Sequence, residues 1–190
     1  MAVYIPTRAT YGSIWMLIPG GVYNFQQLGF DPIGIQAVTA IASSINAALA
    51  PINGLLNDKF RNPQYITAVE QAAQFAAAAG RSIAATPDMY IRANALESFN
   101  AGQLDWGNKL GATLNRGKYR STAKVLFTVI NQVLNIAAGF VGAYVYQYYD
   151  PLSLIAITTP LVVYGLIGYL VGSRKYSDYW NKQMEKDSGS

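Results

Sequence analysis

Residues 125–149, VLFTVINQVLNIAAGFVGAYVYQYY, and residues 152–172, LSLIAITTPLVVYGLIGYLVG, are two apolar runs of 25 and 21 residues without a charged side chain. A helix needs about 20 largely apolar residues to cross a bilayer core about 30 Å thick. Only Asp150 and Pro151 separate the runs, which leaves room for a tight turn and nothing more. The stretch therefore predicts a transmembrane helical hairpin.

Basic residues flank both ends of this predicted hairpin, whereas its turn carries a single acid, Asp150. The six basic residues are Arg116, Lys118, Arg120 and Lys124 before the first run and Arg174 and Lys175 after the second. Positive charge near a span favours the cytoplasmic-type face, which is the matrix side in a mitochondrion. The pattern predicts that both flanks lie on that face, where these six side chains set the topology and contact anionic lipid.

Small and polar residues recur at helical spacing inside the two runs. They are Thr128, Gln132, Asn135, Gly139 and Gly142 in the first run and Gly165, Gly168 and Gly172 in the second. Amide side chains are costly against lipid, and glycines let helix backbones approach closely. These eight residues are therefore predicted to form a helix-packing interface. A polar pathway for ions or solute is the alternative, but neither run supplies an ionisable side chain for a proton relay.

Four dipeptides place an N-cap side chain directly before proline: Asp31-Pro32, Asn62-Pro63, Thr86-Pro87 and Asp150-Pro151. The cap oxygen accepts a backbone N–H that has no helical partner, and proline loses nothing at the first helical position. These signals predict helices beginning near residues 32, 63, 87 and 151, with Ser121 or Thr122 capping a fifth. No stretch alternates as a strand would, so the chain is predicted to be all-α.

The regions before the hairpin contain weaker signals. Residues 9–30 are uncharged, but Pro19-Gly20-Gly21 is expected to break them into an interfacial, re-entrant or extended segment. Residues 32–57 form an uncharged amphipathic pattern, which suits either a membrane or interfacial helix or one packed on a partner. An alanine-rich helix is expected over 63–79 with Gly80 as its C-cap, and another over 87–101.

These elements divide the chain into four predicted regions. An N-terminal arm covers 1–31, an amphipathic and alanine-rich helical layer covers 32–120, the transmembrane hairpin covers 121–173, and a polar tail covers 174–190. The predicted fold class is thus an all-α membrane protein with a C-terminal two-helix hairpin.

The composition argues against most enzyme chemistry. Charged residues make up 13% of the 190 residues, against about 25% in an average soluble domain. There is no cysteine and no histidine, which excludes thiolate and imidazole metal sites, iron–sulfur clusters and Ser-His triads within this sequence. We therefore expect a non-catalytic protein without a cofactor or metal.

The expected function is that of an accessory subunit in a large membrane complex, in contact with other membrane-protein subunits and phospholipid. A respiratory or ATP-synthase assembly of the mitochondrial inner membrane is the specific expectation. A virion membrane or genome-delivery protein and a small holin-like pore former are the alternatives. No nucleic-acid partner is expected, because Tyr119 is the only aromatic residue in the basic cluster at 116–124.

Overall fold

The computed structural model describes residues 4–59, 64–100 and 120–188, and all the regular secondary structure in these ranges is helical. The prediction of an all-α chain is confirmed for this part of the sequence. The elements are α1 (Tyr4–Gln27), α2 (Pro32–Lys59), α3 (Gln64–Ser82), α4 (Pro87–Leu96), a 3-10 helix (Glu97–Asn100), α5 (Arg120–Tyr148) and α6 (Pro151–Ser188).

Side-chain caps begin three of the helices where the sequence predicts. The Asp31 carboxylate accepts the Gly34 N–H at 2.6 Å, and Asp150 accepts the Ser153 N–H at 2.6 Å. Thr86 Oγ1 accepts the Met89 N–H at 3.3 Å. Each bond satisfies an amide that the first helical turn leaves unpaired. Asn62-Pro63 and the side chains of Ser121 and Thr122 lie outside the described residues.

The predicted break at Pro19-Gly20-Gly21 is wrong, because α1 continues through it to Gln27. A proline inside a helix removes one backbone hydrogen bond, and here the packing of α1 against α3, α5 and α6 offsets that loss. Gly20 instead allows residues of α3 and α5 to approach the α1 backbone closely. A Cβ on Gly20 would lie 2.9 Å from the Tyr146 ring and 3.1 Å from Ser82 Cβ.

Gly80 likewise lies inside a helix, so its predicted role as a C-cap is wrong. Helix α3 continues to Ser82, and a Cβ on Gly80 would lie 2.9 Å from Ala93 Cβ on α4. The helix expected over 87–101 is α4 as far as Leu96, after which the chain tightens into the 3-10 helix. Glycine at position 80 therefore brings α3 and α4 together.

Helix α1 is the centre of the bundle. It packs on α6, α5 and α3, whereas α5 and α6 share few direct contacts although they are adjacent in sequence. Helix α2 packs on α4 and the 3-10 helix at the periphery. The two apolar helices at the C-terminus are thus joined by a third helix from the opposite end of the chain.

One described helix is long and apolar enough to cross a membrane by length and composition: α6, over residues 151–168, with a mean hydropathy of 1.7 and 22% of that window buried. The predicted two-helix hairpin is not confirmed. Helix α5 is not found as a second span among the described residues, although its residues 125–148 carry no charge. The backbone of α6 continues as helix through the predicted polar tail to Ser188.

Candidate functional site

A close backbone contact joins α1 to α5. A Cβ on Gly142 would lie 2.8 Å from the Met16 Cα and closer still to the Met16 carbonyl group. Only a residue without a side chain allows two helix backbones to approach in this way. One turn further along both helices, Gly20 receives the ring of Tyr146. Helices α1 and α5 therefore run side by side in the same direction.

An apolar cluster connects α1 to the other two helices around it. Ile14 and Leu17 of α1 pack with Ala78 of α3 and Leu154 of α6, and Leu17 and Leu154 are completely buried. Because Leu17 follows Met16 directly, this cluster lies at the level of the Gly142 contact. The α1 helix is therefore held on three sides at this level.

Polar side chains accompany the apolar cluster in the interior. Ten polar side chains among the described residues are at least nine-tenths buried: Thr10, Ser13, Glu70, Gln71, Gln74, Ser82, Asn94, Ser98, Asn135 and Thr158. The Ser13 hydroxyl donates to the Ala9 carbonyl at 2.7 Å, and the Thr158 hydroxyl lies 2.9 Å from the Leu154 carbonyl. Such bonds to the preceding turn satisfy a hydroxyl within its own helix. The interior thus contains polar groups, but among the described residues no salt bridge joins α1 to α6.

Gln71 has a different position in this interior. Its side-chain amide donates to Gln74 Oε1 at 3.1 Å, while its own Oε1 is buried and lacks a hydrogen-bond partner among the described residues. Buried polar atoms are nearly always paired in native proteins. The Gln71 oxygen is therefore an unsatisfied acceptor inside the bundle, away from its outer surface.

The C-terminal end of α1 is anchored to α3 and the loop after it. Asn24 Nδ2 donates to the carbonyls of Arg81 at 2.8 Å and Ala84 at 2.7 Å. The Arg81 guanidinium in turn pairs with Glu97 and donates to Asn94 Oδ1 at 2.9 Å. Burial raises the pKa of nearby Tyr90. The Arg81 charge lowers this pKa and the Glu97 charge raises it, each by less than burial does. This network fixes α1, α3, α4 and the 3-10 helix to one another.

The outer surface of α5 and α6 is strongly apolar. Residues 125–173 contain one charged side chain, Asp150. The large exposed hydrophobic residues of the two helices are Val125, Val129, Val133, Leu134, Ile136, Phe140, Val141, Tyr144, Tyr148, Leu152, Ile157, Leu161, Val163, Tyr164, Ile167, Leu170 and Val171. Monomeric soluble proteins rarely expose contiguous apolar patches larger than a few hundred Å², and bigger ones mark contact with a membrane or protein.

An open cleft of about 370 Å³ lies beside the α1–α5 contact, near the Asp150 turn. It is lined by Pro19, Tyr23, Ala143, Tyr146 and Gln147. The Tyr23 and Tyr146 rings meet edge to face with centroids 5.3 Å apart, and the Tyr23 hydroxyl accepts from Gln27 Nε2 at 2.7 Å. The cleft is thus aromatic and polar but uncharged.

The predicted interface residues are distributed over several environments. Asn135, Gly142 and Gly165 are buried, Gly139 and Gly168 are half-buried, and Gln132 is exposed. Gly142 contacts α1, whereas no described atom lies within 4 Å of a Cβ on Gly139. The side chain of Thr128 and the surroundings of Gly172 are not described. Of the six predicted topology residues, Arg116 and Lys118 lie outside the described residues, and the side chains of the other four, which lie in α5 and α6, are not described: Arg120, Lys124, Arg174 and Lys175. The helix-packing interface of the first set and the topology and anionic-lipid roles of the six basic residues stay predictions.

The sequence interpretation missed the α1 residues that complete this contact region: Met16, Leu17 and Gly20. One signal was present, since Gly12, Gly20 and Gly21 fall within an uncharged run that also contains Ser13. Small residues in an apolar run are typical of closely packed membrane helices. The proline beside Gly20 was instead interpreted as a break.

Within the described ranges, no group of three or more acidic, cysteine or histidine side chains could hold a metal ion. Comparison with protein-family models, curated proteins and solved structures found no match to this chain.

Proposed function

We propose that this protein is a non-catalytic scaffold subunit of a membrane assembly. The observation that carries the proposal is the apolar outer surface of α5 and α6, where Phe140 is 75% exposed and Leu152 is 65% exposed. Water contact with such a surface is unfavourable at about 25 cal/mol per Å² of apolar area. Lipid tails or the apolar helices of other subunits would remove that cost.

Both C-terminal helices span the membrane in this proposal, and α1 lies in the membrane with them. The Met16–Gly142 and Leu17–Leu154 contacts support this placement, because a helix that touches both spans close to the turn that joins them shares their depth there. The polar side chains Thr10 and Ser13 face inward from α1, so lipid does not meet them. The bundle core would therefore be three helices, with α3 alongside.

The exposed part of the bundle offers surface for other membrane-protein subunits. A respiratory or ATP-synthase assembly of the mitochondrial inner membrane is the specific version of this proposal. The chemistry of the interior supports scaffolding, since the Ser13 and Thr158 hydroxyls bond within their own helices and Asn24 anchors α1 to α3. Purification in mild detergent followed by mass spectrometry identifies the partners, and a virion or a homomeric pore as the recovered species would contradict the subunit proposal.

Membrane insertion is tested by placing arginine on the outer surface. Val141 and Ile157 are 49% and 52% exposed on α5 and α6. Val141→Arg and Ile157→Arg should each cost about 2.5–3.5 kcal/mol of insertion at mid-membrane, measured as the fraction resistant to alkaline extraction. Ser153→Ala is the control, since it changes a half-buried residue next to the turn without adding charge. Normal insertion of both arginine variants would contradict the spanning assignment.

The predicted orientation has an independent test, because the chain has no cysteine to remove. Single cysteines at Ser153 and Ser177 are treated in intact vesicles with a membrane-impermeant thiol reagent. The six flanking basic residues favour labelling of Ser153→Cys from the outer face alone and of Ser177→Cys after permeabilisation. Labelling of both sites from one face would show that α6 does not cross the membrane.

A further inference from the structure

We propose that the cleft between α1 and α5 holds a zwitterionic phospholipid, with its headgroup at the tyrosine rings. The inference rests on the proposed function, since it requires α5 to lie in a bilayer. It concerns a different place from the basic flanks, where contact with anionic lipid is predicted.

The position of the cleft suits the headgroup level of a membrane. Ala143, Tyr146 and Gln147 lie in the last turns of α5, just before the chain reverses at Asp150-Pro151. A reversal between two spans lies at the membrane surface, and tyrosine is enriched there because its ring is apolar and its hydroxyl seeks water. The exposed rings of Tyr144 and Tyr148 continue the aromatic surface next to the cleft, 4.8 Å apart between centroids.

The cleft is built into the helix contact. Gly20 makes space for the Tyr146 ring, which contacts the edge of Tyr23, and Gln27 holds the Tyr23 hydroxyl. These contacts limit the rotation of both rings before any ligand arrives, so little side-chain entropy is lost on binding. A lipid tail leaving the cleft would continue over the exposed apolar side chains on the same side of α5, Phe140 and Ile136.

The absence of charge among the lining residues selects the kind of headgroup. The five residues that line the cleft are proline, alanine, glutamine and two tyrosines. None of them could pair with a net negative headgroup, whereas tyrosine rings attract quaternary ammonium groups such as that of choline. The Gln147 amide adds a hydrogen-bond donor for a phosphate or ester oxygen.

The test compares two variants that add the same side chain to α5. Ala143→Phe fills the cleft, while Ala137→Phe adds a ring at an exposed position about 9 Å away along the helix axis and outside the cleft. Gln147→Leu, at an exposed residue on the rim, is a second blocking variant, because it removes the amide donor without adding an aromatic ring. Each full-length protein is reconstituted in nanodiscs of equal phosphatidylcholine and phosphatidylglycerol, transferred to mild detergent and weighed by native mass spectrometry.

We expect the unmodified protein and Ala137→Phe to retain one phosphatidylcholine, and both blocking variants to lose about tenfold in occupancy. Equal retention in all proteins, or selective retention of phosphatidylglycerol, would overturn the proposal. A dimer that Ala143→Phe abolishes would also overturn it, because the cleft would then hold a second copy of the chain. Alkaline extraction of membranes in parallel separates the lipid-binding proposal from the proposed membrane function. A chain that resists extraction but retains no lipid contradicts lipid binding in the cleft alone. A chain that is extracted contradicts both proposals.

Discussion

Helices α1 and α2 are alike in low charge and in an internal proline, but α1 is largely buried or half-buried and α2 is largely exposed. Both are nearly uncharged, and each contains an internal proline, Pro19 or Pro51. In α1, Thr10 and Leu17 are completely buried. Helix α2 has the more regular stripe of large apolar residues at alternating spacings of three and four, yet Leu55 at its end is 71% exposed.

The difference shows what buries an apolar helix in this molecule. Helix α1 has glycine where α3 and α5 approach, so its backbone comes close to theirs and many atoms make contact. Helix α2 has bulky side chains, but within the described residues only α4 and the 3-10 helix pack substantially against it. The apolar stripe in α2 therefore offers a surface, whereas the small residues in α1 allow a close fit.

The largest expected effect is the loss of stability when a buried side chain of α1 is truncated, compared with an exposed side chain of α2. Leu17→Ala should destabilise the fold by about 2–5 kcal/mol, because it leaves a cavity in the cluster around α1. Ile41→Ala is the matched change in α2, where Ile41 is 46% exposed, and should cost about 0.5 kcal/mol or less in the purified chain. Unfolding by denaturant in detergent micelles measures both. Equal losses would contradict the central position of α1.

A pair of glycines on α5 sharpens the comparison. Gly142→Ala forces a Cβ into the α1 backbone at Met16 and should cost about 1–3 kcal/mol. Gly139→Ala meets no described atom and should instead stabilise α5 by about 0.5–1 kcal/mol, since alanine favours helix. Thermal unfolding in the same detergent gives the sign of each change. Stabilisation by Gly142→Ala would show that α1 and α5 are further apart.

A smaller effect is expected at the end of α1. Asn24→Ala removes two hydrogen bonds to the carbonyls of Arg81 and Ala84, each worth about 1 kcal/mol. Gln36→Ala on α2 is the control, because Gln36 is exposed. Amide hydrogen exchange should accelerate at residues 81–86 in the first variant alone. Unchanged protection there would mean that α1 is held without this anchor.

The smallest effect should come from the buried amide on α5. Asn135→Leu is expected to change stability by about 0.6 kcal/mol or less, because an interhelical hydrogen bond within a membrane averages that value and Asn135 is buried without a hydrogen bond to another described helix. A loss larger than that of Gly142→Ala would indicate that polar contacts contribute more to this bundle than close packing does, and would favour the polar-pathway interpretation.

Local chemistry made the helix starts predictable. A carboxylate or hydroxyl before proline acts within one turn, so Asp31, Thr86 and Asp150 mark α2, α4 and α6 correctly. The ends were harder to predict, because Gly80 favours termination in isolation but contacts Ala93 in the fold. Within the candidate site, the sequence pointed to Gly142 and Asn135 but gave no partner for either.

By itself the sequence determined the helical class, the helix starts and the apolar character of residues 125–172, since these follow from side chains a few positions apart. Tertiary structure alone decided that α1 passes between α5 and α6, that Pro19 lies inside a helix, and that the cleft forms beside Gly20 and Tyr146. The physical reason is that close packing depends on the shapes of two surfaces distant in sequence. Glycine spacing shows that a backbone can be approached, whereas only the assembled helices show which backbone approaches it.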